Sequence, residues 1–152
     1  MHKQRIYIDT SVIGGYFDKE FEFYTKLFFR RVIEGNLKVI LSDILTTELD
    51  GAPERVWDFY SSISNHQTEF VEETADSIKL AEDYLKEGVV GKTSRTYCRH
   101  IALATSVNAD ILVSWNFKHI VNIERIRGFN SVNLKNGFRI LEIRTPAEIS
   151  EL

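Results

Sequence analysis

The stretch RTYCRHIALATSVNADILVSWN (95–116) decides the fold. Its first half, residues 95–107, sets His100, Ile101, Leu103 and Ala104 on one inner side at helical spacing. DILVSW (110–115) follows at once, a run of strand length with no polar alternation through its centre. A strand that apolar is buried on both faces, the condition of a parallel sheet whose crossovers are helices. Toward the N-terminus the same alternation repeats. Residues 75–87 spell a helix around Ile78, Ala81 and Leu85, stopped by Gly88, and EFVEE (69–73) before it reads as a short strand. Pro53 opens a helix to about Ser64, and Gly51 closes the helix before it, which Ser42 caps and Glu48 belongs to. LKVIL (37–41) is a strand, Gly35-Asn36 ends a helix over 20–34, and RIYI (5–8) is the first strand. Toward the C-terminus, 117–134 is helical or irregular and FRILEI (138–143) is a last strand. The pattern predicts one α/β domain over residues 1–152, with a central parallel sheet of four or five strands and helices on both faces.

Composition sets the outer limits. At 152 residues, the chain suffices for one domain with a proper core. Cys98, the single cysteine, excludes an internal disulfide or a cysteine-based zinc cluster. MHKQRIYIDTS carries no apolar signal segment, and nowhere do about 18 apolar residues run together, so the expectation is a cytoplasmic protein without membrane spans. Net charge is −3, with an uneven distribution. Residues 1–87 hold 17 Asp/Glu against 10 Lys/Arg, whereas 88–144 hold 9 Lys/Arg against 3 Asp/Glu. Such halves could seat a metal and a phosphate side by side; from charge alone, solvated helix faces account for them better.

In parallel sheets, functional groups gather beyond the carboxyl ends of the strands, at a topological switch point. Asp9 directly follows RIYI, Glu48 lies in the helix after LKVIL, and Asn116 directly follows DILVSW. If those strands are neighbours, the three side chains share one pocket of oxygen ligands, which suits Mg²⁺ or Mn²⁺. Each also has an ordinary reading: Asp9 as the N-cap of a helix starting at Thr10-Ser11, Glu48 as a solvated surface residue, Asn116 as an Asx turn. Their joint placement at strand ends favours the pocket. No GxGxxG, GxxxxGK[ST] or GxSxG occurs, and His2, His66, His100 and His119 show no paired metal spacing.

The fragments YIDTSVIGGYFD (7–18), LSDILTTELDGAPERV (41–56), RHIALATSVNADILVSWNFKHIV (99–121), IERIRGFNSVNLKNG (123–137) and LEIRTPAEI (141–149) together resemble a bacterial PIN-domain family related to VapC-type toxins of toxin–antitoxin pairs. The resemblance implies a PIN-like fold and a Mg²⁺- or Mn²⁺-dependent endoribonuclease. It also implies an RNA substrate, a cognate antitoxin protein that blocks the pocket, and a homodimer. Asp9 matches the first family acid, Glu48 the second, and Asn116 the polar residue after the Ser-Trp pair. These three are the implied catalytic and metal-binding residues, with Ser114 and Thr10 in support. Lys92, Arg95, Arg99 and Lys118 are the candidates for RNA phosphate contact. The third family acid stands three residues before the histidine of His-Ile-Ala, and here that position is Tyr97. A phenol stays neutral below about pH 10 and is a poor ligand for a hard cation. Two readings follow: a ribonuclease with a partly degraded metal site, or a PIN-like module that binds RNA or protein without turnover. An α/β domain unrelated to nucleic acid is a weaker third.

Overall fold

The computed structural model describes residues 3–91 and 94–150. The chain runs β1 (Gln4–Ile8), α1 (Thr10–Gly15), α2 (Glu22–Ile33), β2 (Leu37–Ser42), α3 (Asp43–Glu48), α4 (Glu54–Ser62), a 3₁₀ turn (Asn65–Gln67) and β3 (Thr68–Val71). It continues with α5 (Ala75–Lys86), α6 (Arg95–Ser106), β4 (Ile111–Val113), α7 (Ile123–Lys135), β5 (Glu142–Arg144) and α8 (Pro146–Ser150). The sheet order is β3-β2-β1-β4-β5, and every pairing is parallel. The expected α/β class with four or five parallel strands is therefore the observed one.

Strand alternation builds two cores, one on each face of this sheet. Ile6 and Ile8 of β1, Val39 and Leu41 of β2, and Ile111 and Val113 of β4 point to the face packed by Phe28, Phe29 and Val32 of α2 and by Ile149. Tyr7, Ile40, Leu112 and Ile143 point the other way, into Leu80, Tyr84, Ile101, Ala104 and Phe129 of α5, α6 and α7. The central strands are apolar throughout because both faces are covered. Each buried Ile or Leu here contributes about 1.5–3 kcal/mol relative to exposure.

Local signals act where the sequence puts them. Ser42 caps α3 by accepting from the Leu45 amide at 3.2 Å, and Gly35 leaves α2 at φ +84°, a conformation that disfavours any side chain. The largest departure is the last strand, which is Glu142–Arg144 and not 138–143. Asn130 of α7 holds the residue just before it. Its Oδ1 accepts from the Leu141 amide (2.6 Å) and its Nδ2 donates to the Leu141 carbonyl (3.0 Å). One side chain thus satisfies both Leu141 backbone groups on the outer edge of the sheet, and pairing with β4 runs from Glu142 to Arg144.

β2 and β3 lie to one side of β1, and β4 and β5 to the other. The reversal falls between β1 and β4, whose carboxyl ends carry Asp9 and Ser114.

Candidate active site

Asp9 leaves β1 with its amide donating to the Val113 carbonyl of β4 at 3.5 Å. It occupies the N-cap position of α1, yet its side chain makes no capping bond. The carboxylate, only 4% exposed, instead takes a hydroxyl on each oxygen: Ser11 Oγ donates to Oδ1 (2.5 Å) and Ser114 Oγ to Oδ2 (2.6 Å). Both serines are themselves aimed by the backbone. The Trp115 amide donates to Ser11 Oγ and the Asn116 amide to Ser114 Oγ, each at 2.9 Å, so the hydroxyl protons are left for Asp9. Burial pushes the Asp9 pKa up, and the His100 charge and the two serine bonds only partly offset it.

Glu48, the last residue of α3, closes the other side. Its Oε1 accepts from Thr10 Oγ1 (2.6 Å) and from His100 Nε2 (2.5 Å). Burial is the largest single influence on its pKa and raises it, but the His100 and Thr10 hydrogen bonds with the His100 and Arg99 charges outweigh it, and the net direction is down. His100 is 2% exposed; its Nδ1 lies 2.7 Å from the Tyr7 hydroxyl, which lies 3.0 Å from Ser42 Oγ. A buried polar chain therefore joins Glu48 through α6 to the cap of α3.

Asp9, Thr10, Glu48 and Ser114 thus meet at the switch point. Asn116 sits at the rim, and its side chain serves the turn after β4: Oδ1 accepts from the His119 amide at 2.9 Å. That is the Asx-turn reading. Tyr97 lies one turn before His100 on α6, where its ring stacks on His119 with centroids 5.1 Å apart and planes 16° from parallel. It makes no hydrogen bond to either carboxylate. Among the described residues, no three His, Cys, Asp or Glu side chains gather as a metal-binding group.

The basic candidates divide. Arg99 is bound twice by Glu73, at 2.9 and 2.5 Å, and Arg95 pairs with Glu82. Lys118 is exposed on the turn that follows Asn116 and has no carboxylate partner among the described residues. Lys92 lies outside the described residues. Sequence reasoning missed Ser11 and His100. The Asp-Thr-Ser tripeptide held the only hint of the first, and an apolar helix face concealed the second.

Does this donor set suit a divalent cation? Two carboxylates with a hydroxyl between them form a hard-oxygen set. Each Asp9 oxygen retains a lone pair beyond its serine bond, and Glu48 Oε2 carries no hydrogen bond among the described residues. The residues fit one ion and lack the third acid that a pair of ions would need.

The architecture has a solved counterpart. A chain in the crystal structure of VapBC2 from Rickettsia felis, bound to a DNA fragment from their promoter, is similar to this one with a TM-score of 0.60. The match covers 93% of this chain and 98% of that chain at 14% sequence identity. No protein-family model and no curated protein sequence matches the chain. At this identity the likeness defines the class by fold: a five-stranded, all-parallel α/β domain of PIN-like architecture.

Proposed function

We propose that this chain is a PIN-like, metal-dependent endoribonuclease with a reduced metal site, acting as the toxin of a toxin–antitoxin pair. The observation that carries the reading is Asp9: a carboxylate 4% exposed, held by two serines and set beside Glu48 at the switch point. Such burial costs stability and the side chain caps no helix, which supports a chemical role for this carboxylate. Asp9 and Glu48 would hold one Mg²⁺ or Mn²⁺ ion, with Asn116 contributing through water at the rim. When bound, that ion supplies Lewis acidity toward a phosphodiester and lowers the pKa of a water molecule. The protein's own groups do the rest. Ser11 and Ser114 fix the rotamer of Asp9, Thr10 and His100 fix Glu48, and Lys118 faces solvent where an RNA phosphate can approach. A cognate antitoxin, homodimerisation and a cytoplasmic location belong to the same reading.

Tyr97 favours a second reading, an RNA- or protein-binding module without turnover, because its ring is committed to His119 where the family resemblance calls for an acid. Cleavage of a labelled RNA in Mn²⁺ separates them. Metal-dependent cleavage by wild type, abolished in Asp9→Asn, supports the nuclease. Cleavage only after Tyr97→Asp supports the binding module, and cleavage unchanged by Asp9→Asn rejects the site altogether.

A further inference from the structure

The turn after β4 has a feature the carboxylate site does not use. Phe117 is 52% exposed, yet its ring has aromatic neighbours. It rests against Trp115 with centroids 6.1 Å apart and against Phe21 at 6.3 Å, and those two rings stack on each other at 4.6 Å. Trp115 is fixed in turn, since its indole Nε1 donates to Thr25 Oγ1 at 2.9 Å. The backbone of the turn is equally constrained. The Asn116 carbonyl accepts from the amides of Ile120 (3.1 Å) and Val121 (2.9 Å), while Asn116 Oδ1 accepts from His119. Lys118 stands next to Phe117, exposed and without a carboxylate partner among the described residues.

The turn is tied directly to the acidic site, because the Asn116 amide donates to the same Ser114 hydroxyl that donates to Asp9. Phe117 is three residues from Ser114, so its Cα lies at most about 11 Å away along the chain. An exposed ring braced by Trp115 and Phe21, beside an ammonium without a carboxylate partner among the described residues and next to a site suited to a phosphodiester, matches the two halves of an unpaired nucleotide. The ring offers a face to a base and the ammonium offers charge to a phosphate. In a duplex the bases are stacked on one another and their faces are closed to such a ring.

We propose that the turn 116–120 is a single-strand clamp, in which Phe117 stacks on a nucleobase beside the Asp9–Glu48 site while Lys118 pairs with a backbone phosphate. The assignment of the substrate as single-stranded RNA rests on the nuclease reading above, but binding and cleavage test the two separately. Binding of a short fluorescein-labelled single-stranded RNA is measured by anisotropy in EDTA, so that nothing is cut, for wild type, Phe117→Ala and Phe117→Trp. A blunt duplex of the same sequence and a single strand with abasic positions are measured alongside. Phe117→Ala weakens single-strand binding about fivefold or more, the range of one lost base stack. Phe117→Trp restores it, and the abasic strand binds wild type and Phe117→Ala alike. Ile140→Ala, which removes a still more exposed apolar side chain elsewhere (65%), leaves binding unchanged.

Three results overturn the clamp: no binding of the single strand, equal binding by wild type and Phe117→Ala, or an equal loss with the abasic strand. A change of sedimenting mass in Phe117→Ala with RNA affinity intact does the same and assigns the ring to a protein interface. If wild type cleaves in Mn²⁺ while Phe117 proves neutral, the clamp falls and the nuclease stands. If binding depends on Phe117 and no metal-dependent cleavage occurs, the clamp stands and the nuclease falls.

Discussion

At the residue scale the two carboxylates titrate in opposite directions, and the signs are testable. Burial raises the folded-state pKa of Asp9 above its unfolded value. The protonated group is therefore the one the fold tolerates, and stability from this site is full at acid pH and lost as pH rises through the folded pKa. Asp9→Asn mimics the neutral form, so it should raise the Tm of the metal-free protein at pH 7, and the gain should vanish near pH 3. Each kcal/mol relieved is worth about 2–4 °C in a domain of this size. Mn²⁺ should raise the Tm of wild type and leave Asp9→Asn unmoved, since only a state that binds the ion is stabilised by it. Glu48 runs the other way. Its folded pKa is lowered, so its contribution is present above the unfolded pKa and disappears as pH falls through the folded one. Its side chain is 32% exposed, and solvent screening keeps the effect small. His100→Leu should cost about 1–3 kcal/mol in urea unfolding, because the Tyr7 hydroxyl and the Glu48 carboxylate both lose a partner. A change within error there would deny the polar chain a structural role. The convergence of Asp9 and Glu48 was legible in the sequence, because both follow strands at a predictable edge. The serine cradle and His100 were not, since a hydroxyl's orientation depends on which backbone amide it meets across 104 residues of chain.

At the scale of elements, α1 carries two adjacent glycines with different duties. A Cβ on Gly14 would meet nothing within 4 Å, whereas one on Gly15 would lie 2.7 Å from Trp115 Nε1 and 2.9 Å from Thr25 Oγ1. Gly14→Ala should therefore be neutral or stabilise by up to about 1 kcal/mol through helix propensity. Gly15→Ala should cost about 1–3 kcal/mol by overpacking and displace the indole that supports Phe117. Equal stabilities for the two variants, measured by chemical denaturation, would contradict this packing. The last strand shows where reading by periodicity stops. FRILEI is apolar enough for a strand, but only Glu142–Arg144 pair with β4, Ile140 is 65% exposed, and Asn130 of α7 binds both Leu141 backbone groups on the outer edge. No local pattern records a side chain eleven residues upstream binding that backbone. Asn130→Ala should cost about 1–3 kcal/mol and speed hydrogen exchange at Leu141.

For the whole molecule, topology does most to make the site. Placing β4 beside β1, with β2 and β3 on the far side, brings Asp9 within reach of Ser114 and turns residues more than a hundred positions apart into one cradle. The alternation of apolar strands with amphipathic helices announced that architecture because each central strand is covered on both faces. The pairing order that creates the switch point is a long-range outcome, inferred from the general behaviour of parallel sheets. The claim on which the functional account rests is that Asp9 and Glu48 share one cation. Anomalous diffraction from a crystal soaked in Mn²⁺ tests it most directly. A single anomalous peak should appear within coordinating distance of one Asp9 oxygen and one Glu48 oxygen, and be absent from an identically soaked Asp9→Asn crystal. A soaked wild-type crystal with no density between those carboxylates, or with manganese bound only elsewhere on the molecule, would contradict it.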